Sequence, residues 1–282
     1  MTGVQIMPFS SPFIESLIEI NRHQNWIKEN TQLFHTPYLF LSSFPRSGNG
    51  WIRLVLAAIV LETKGIDINQ VEIIRKATKG GVKYICFVLG EKEYDLEDIF
   101  PDMYILNPQE VNLTNKSEDV KRLNLPIILI KTHHIVDCST HKTIFLFREP
   151  LNCLTSSALL LNSEAIANNP ATINETMIYF AKFYRQMLEH YLEQKEKYPQ
   201  NCFLLSHQKI KSDRSFSELA KVIDFIGIKV EIDTIKKVLH KFPFRSGYNK
   251  KIAEAMTDST EEYIDRLLTA KYERAITMSD QQ

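Results

Sequence analysis

No GxxxxGK[ST] stretch occurs anywhere in these 282 residues, so the chain lacks the lysine-bearing phosphate loop of ordinary ATP and GTP phosphoryl-transfer enzymes. No two cysteines have CxxC spacing. Cys86, Cys138, Cys153 and Cys202 stand apart, and Cys86 and Cys202 lie inside apolar runs where thiols are commonly buried. Neither structural disulfides nor a cysteine zinc site is expected, and no metal is called for. No segment approaches the roughly 18 uninterrupted apolar residues of a membrane span, and the opening MTGVQIMPFSSPFIESL has no basic stretch leading into a long apolar one. A soluble, cytoplasmic protein is expected, with no membrane partner. Charge of either sign is not in excess: Lys plus Arg and Asp plus Glu number 34 each. No global field therefore draws the chain to nucleic acid, and any anion site must be local.

What remains is the composition of a globular enzyme-sized domain, 44% hydrophobic and 24% charged, without internal repeats or low-complexity tracts. One domain over residues 1–282 is expected. Within it, the mixed helical spacing of Ile14, Leu17, Ile18 and Ile20 predicts an amphipathic helix over 13–29, so that 1–36 forms a helical extension packed on the main fold. Short apolar runs at 38–41, 127–130, 143–147 and 202–205 read as buried parallel strands. Helical patterns follow at 51–61, 151–161, 172–198, 215–226, 232–242 and 259–275, the second with Pro150 at its start. The alternation predicts an α/β fold with a central, mainly parallel sheet flanked by helices. Residues 78–116 are the least periodic. They contain the acidic cluster Glu91, Glu93, Asp95, Glu97, Asp98 and Asp102, which reads first as a solvated face and second as the lining of a pocket for a cationic acceptor.

The turn between the first strand and the first helix is Pro45-Arg46-Ser47-Gly48-Asn49-Gly50, followed by Trp51. A phosphate needs converging backbone N–H groups, and a small-residue turn opening onto a helix N-terminus supplies them with a favourable dipole. Gly48 and Gly50 permit close backbone approach, Ser47 adds a hydroxyl, Arg46 a permanent cation, and Trp51 a ring for a purine. The plainer reading, a bend with a core tryptophan, stands at even weight on this turn alone. Two further pieces follow strands. Lys131-Thr132-His133-His134 follows the run at 127–130, and Arg148-Glu149-Pro150-Leu151-Asn152-Cys153-Leu154-Thr155-Ser156 follows the run at 143–147. Ligand sites in open α/β sheets lie at the carboxyl ends of strands, where all three pieces fall.

Phe44-Pro45-Arg46-Ser47-Gly48-Asn49-Gly50-Trp51 resembles the 5′-phosphosulfate loop of sulfotransferases that use 3′-phosphoadenosine 5′-phosphosulfate (PAPS), in which the sequence is usually Pro-Lys-Ser-Gly-Thr-Thr-Trp. Here Arg46 stands in the lysine position, and Asn49 and Gly50 replace the two threonines. Arg148 and Ser156 match the arginine and the serine eight residues later that contact the 3′-phosphate in that family. Lys131 and His133 match its Lys-Thr-His, and Phe244-Arg245-Ser246-Gly247 is similar to its Arg-Lys-Gly element, with Ser246 for lysine. Ser206-His207-Gln208 occupies the place of its Tyr-Glu-Asp, leaving Ser206 and Trp51 as candidates beside adenine.

The resemblance runs from about residue 39 to beyond residue 247. It implies the P-loop-like nucleotide-binding fold of sulfotransferases, PAPS as donor, 3′-phosphoadenosine 5′-phosphate (PAP) as product, and a small-molecule acceptor offering a hydroxyl or amine. His133 is then the general base, with His134 open as an alternative, while Lys131 and Arg46 bracket the developing charge. The chain also resembles bacterial tailoring enzymes of secondary metabolism that act on guanidinium alkaloids such as saxitoxin, which makes that one acceptor class. The acceptor site is expected in 78–107 and 159–174. Two other classes stay open: a P-loop-like kinase acting on a small molecule, against which the missing Walker lysine counts, and a non-catalytic nucleotide-binding protein, against which Lys131-Thr132-His133 counts.

Overall fold

The computed structural model describes residues 37–77, 83–102, 122–161, 170–213, 215–244 and 256–282. The helix expected over 13–29, with the rest of the extension, lies outside them. So do Arg245, Ser246 and Gly247.

Four parallel strands form the main sheet: β1 (Tyr38–Ser43), β5 (Ile128–Thr132), β6 (Thr143–Phe147) and β7 (Cys202–Ser206), in the order β5-β1-β6-β7. Their residues alternate between two cores. Leu39, Leu41, Leu129, Ile144, Leu146, Phe203 and Leu205 face one side, where α1 (Asn49–Thr63) lies. Phe145, Phe147, Cys202 and Leu204 face the other, against α3 (Pro150–Leu161), α4 (Pro170–Lys197) and α8 (Asp258–Ser279). Burial on both faces is why the strands read as continuous apolar runs. The chain leaves β1 for β5 on one side and then crosses to β6 on the other, so the order reverses at β1. In open sheets of this kind the carboxyl ends beside such a reversal are the usual ligand position.

The first helix starts where it does because Gly48 adopts φ +102°, a left-handed conformation that only glycine enters cheaply. From Ile52 to Leu61 it is almost wholly buried, each fully buried Val, Leu or Ile contributing about 1.5–3 kcal/mol. It stops at Gly65, whose N–H reaches Glu62 O at 2.9 Å while Ile66 N–H reaches Leu61 O at 3.0 Å, a paired closure of the last carbonyls.

Within the stretch read as least periodic, the described residues 83–102 form, together with β2 (Glu72–Ala77) before it, an antiparallel meander of β2, β3 (Lys83–Leu89) and β4 (Lys92–Asp95), leading into the single turn α2 (Leu96–Ile99). Two of its acidic residues are neither a solvated face nor a lining for a cationic ligand. Glu97 and the fully buried Asp102 turn inward onto Arg53 of α1, at 2.8 and 3.4 Å, and Asp102 also pairs with Lys131. Arg53 donates as well to Phe100 O at 3.0 Å. Burial drew these carboxylates in because buried cations were there to meet them. The remaining elements are α5 (His207–Ser212), α6 (Ser217–Ile226) and α7 (Ile232–Lys241). All four cysteines are buried thiols. Among the described residues no helix is long and apolar enough to cross a membrane.

Candidate active site

Each strand of the main sheet delivers one piece of the site at its carboxyl end. From β1 comes the turn 44–48. Phe44 anchors it, its ring 5.0 Å from Tyr184 and 5.9 Å from Phe180 of α4. Arg46 then takes φ +64°, and its exposed side chain reaches across to donate from Nε to Ser156 Oγ at 3.0 Å. Arg148, buried at the end of β6, donates from its guanidinium to Arg46 O at 3.1 Å. Tyr184 fixes the Arg148 backbone twice, accepting from its N–H at 3.0 Å and donating to its carbonyl at 2.5 Å. The first phosphate turn and the Arg148–Ser156 pair are thus one joined structure, although 110 residues separate Arg46 from Ser156.

Two side chains proposed for the phosphate point elsewhere. The Ser47 hydroxyl is buried and meets Cys153 Sγ at 3.2 Å, and that thiol, whose pKa burial pushes up to about 12, donates to Pro45 O at 3.2 Å. Asn49 turns its amide inward to Ser43 Oγ at 2.7 Å. Both hold the turn in shape and leave any anion to backbone N–H groups and guanidiniums. Among the described residues nothing lies within 4 Å of a Cβ built on Gly50.

Three helices begin at this end of the sheet. Glu149 caps α3 with both carboxylate oxygens, accepting from Leu151 N at 2.9 Å and Asn152 N at 2.8 Å. Ser206, a nucleotide candidate, is fully buried and caps α5 by accepting from Lys209 N at 3.3 Å. Its hydroxyl serves the helix. In contrast, α1 begins at Gly48, which has no side chain to offer, and carries no acidic residue in its first turn. Its leading N–H groups and positive dipole end are the ones left for an outside anion.

Beside this lies His133, at the end of β5. Its Nδ1 is 2.7 Å from Ser43 O; a carbonyl only accepts, so the proton sits on Nδ1 and Nε2 becomes the acceptor. Burial and then the neighbouring Lys131 charge push its pKa down to about 3, so the ring is neutral at physiological pH. Asp102 opposes that shift. Its own carboxyl is raised by burial but held below the usual range by Lys131 and Arg53, so it is ionised. His134 is half-buried, its carbonyl accepting from Ser42 Oγ at 2.8 Å.

Trp51 is pinned by a hydrogen bond from Nε1 to Phe242 O at 3.1 Å and meets Phe244 edge-on, centroids 4.8 Å apart. Phe244 in turn meets His207, the first residue of α5, at 4.6 Å. Sequence reasoning passed over His207, Glu149, Tyr184 and Arg53. The capping pattern of Glu149 before an apolar helix was the one available signal.

The model of the sulfotransferase domain family matches residues 36–281. No curated protein matches the chain in sequence. Among solved structures, retinol dehydratase in complex with retinol and PAP is similar at 12% identity and TM-score 0.50, over 88% of this chain and 86% of that one. The sulfotransferase STF9 from Mycobacterium avium aligns at 12% identity and TM-score 0.49 over 89% and 80% of the two chains. The sulfotransferase domain of the olefin synthase from Synechococcus PCC 7002 aligns at 14% identity and TM-score 0.42 over 87% and 96%.

Proposed function

The chain belongs to the sulfotransferase domain family, and from that membership we propose that it moves a sulfuryl group from PAPS to a hydroxyl or amine of a small-molecule acceptor. The observation that carries this reading is the uncapped N-terminus of α1, flanked by Arg46, Arg148 and Ser156, with the neutral His133 tied to Ser43 five residues before Gly48. The residues suit such a donor. The turn offers backbone N–H groups for a 5′-phosphosulfate, Arg148 and Ser156 offer charge and a hydroxyl for a 3′-phosphate, and Trp51 a ring for adenine.

The donor supplies the sulfuryl group and departs as PAP; the rest is done by this chain. His133 Nε2 takes the proton from the acceptor as its lone pair forms the bond to sulfur, while the sulfur–oxygen bond to the 5′-phosphate breaks with its electrons on the phosphate oxygen. Arg46 and Lys131 offset the growing negative charge, and Arg46 does so without giving up a proton because guanidinium stays charged. Lys131 is oriented beforehand by Asp102. Asp102 and Glu97 being committed to Arg53 and Lys131, a cationic acceptor of the saxitoxin type would be recognised by other residues; it forms one arm of an acceptor screen.

Thermal melts with a nucleotide panel test the reading. PAP at a hundredfold excess over Kd stabilises by about 2.7 kcal/mol, and ATP does not. Stabilisation by ATP alone points to the small-molecule kinase, and no response to either nucleotide rejects the donor site.

A further inference from the structure

None of the motifs gives His207 a task, yet it lies against the turn at Gly48. Only 6% of the residue is exposed. Its Cδ2–Nε2 edge is turned toward the phosphate turn: a Cβ built on Gly48 would lie 2.8 Å from Cδ2 and 3.4 Å from Nε2. The other neighbour is Phe244, edge-on, which links the imidazole to Trp51. Among the described residues neither ring nitrogen has a hydrogen-bond partner; the influences on the ring are burial and the charges of Arg148 and Lys211. Neither nitrogen is among the fully enclosed unpartnered atoms of the described residues, so a ligand placed against the turn can meet Nε2 with an acceptor.

We propose that His207 is a donor-binding residue whose Nε2–H donates to the 5′-phosphate seated at the N-terminus of α1, and that binding draws a proton onto the ring. This rests on the reading that a PAPS-type nucleotide occupies the cleft. Among the described residues, the groups facing the ring are Arg148 from the end of β6, Lys211 from α5, the positive end of α1 beyond Gly48, and the apolar ring of Phe244. Burial first, then Arg148 and Lys211, hold the imidazole down to about 4, so it is neutral near pH 7 until an anion offsets those charges. A phosphate bearing up to two negative charges on the Gly48 side reverses the balance. Nucleotide affinity then depends on pH through a residue that is not the catalytic base.

The test is calorimetric titration of PAP at pH 6, 7 and 8 into the wild type, His207→Gln and His207→Phe. Glutamine keeps a donor that cannot titrate, and phenylalanine keeps a ring that packs on Phe244 without a donor. The titration of the nucleotide itself cancels in the ratio of wild type to variant. Relative to His207→Gln, wild-type affinity rises as pH falls, by at most about tenfold per pH unit for one proton. His207→Phe binds roughly tenfold more weakly at pH 6. Parallel pH profiles and equal Kd values for all three proteins overturn the role of His207 while leaving the donor site standing. No PAP binding by the wild type overturns both. Adenosine 5′-monophosphate separates the two phosphates: the difference between wild type and variants persists with it, and a difference seen only with PAP would move the contact to the 3′-phosphate and overturn the assignment to α1.

Discussion

Gly48 and Gly50 are two residues apart in one turn, yet their substitution by alanine has opposite consequences. At Gly48 a methyl group meets His207 Cδ2 at 2.8 Å and the backbone holds φ +102°, a conformation an L-residue adopts at a cost of about 1–3 kcal/mol. Gly48→Ala is expected to lower stability by at least that amount in urea unfolding and to abolish the thermal shift by PAP. Gly50 is in the first turn of α1 with nothing among the described residues within 4 Å of a Cβ built on it, so Gly50→Ala is expected to raise apo stability by about 0.5–1 kcal/mol. If Gly50→Ala also weakens PAP binding, the nucleotide approaches that backbone closely. His133 belongs to the same scale. His133→Ala is expected to cut kcat by about 10²–10⁴-fold while PAP affinity changes little. Unchanged turnover in a discontinuous assay with labelled donor would remove it from the role of base and return the question to His134.

Between α1 and β5, cohesion comes from charge as well as oil. Arg53 and Lys131 sandwich the buried Asp102, and Glu97 takes the outer guanidinium nitrogen of Arg53. Asp102→Asn leaves Lys131 buried beside a neutral amide, an uncompensated charge that costs about 3–5 kcal/mol. Denaturant unfolding reads this directly, and a loss below 1 kcal/mol would mean that water replaces the carboxylate. The network was invisible in the sequence because Glu97 and Asp102 sit in a run of acids whose ordinary fate is solvent; only the buried cations from α1 and β5 change it. The parallel strands were legible in their apolar runs, while the end of β1 was not. Ser42 and Ser43 look like turn residues, but the hydroxyl of Ser42 bonds His134 O, the carbonyl of Ser43 meets His133, and its hydroxyl accepts from Asn49. Tertiary partners extend the strand. The meander from β2 to β4 carried a signal, Gly90 and Glu91 between two extended runs, which the following acidic stretch obscured. Of the candidate site, the nearness of Arg46 to Ser156 and of His207 to Gly48 could not be read from the sequence, because they join positions 110 and 159 residues apart.

For the molecule as a whole, the buried histidines set how stability responds to acid. His133 is pushed down to about 3 and His207 to about 4, in both cases chiefly by burial, and burial lowers His141 and His190 as well. The unfolded chain binds these protons near pH 6.5, the folded chain only well below. Below about pH 6.5 the unfolded state therefore holds more protons, and stability, fully present above that value, is lost as pH falls toward 4. Each such group contributes a slope of up to about 1.4 kcal/mol per pH unit. Urea unfolding at pH 7.5, 6.5, 5.5 and 4.5 is expected to show a plateau between the first two and a steep fall between the last two. In His207→Gln the fall between pH 5.5 and 4.5 becomes shallower by up to about 1.4 kcal/mol, since one titrating group is gone while the packing against Phe244 is largely kept. Saturating PAP should flatten the wild-type fall in the same window: a nucleotide that draws a proton onto His207 in the folded state reduces the proton deficit against the unfolded chain. Wild type and His207→Gln falling in parallel, with and without PAP, would show that the imidazole is already charged in the free protein and that its burial carries no acid sensitivity.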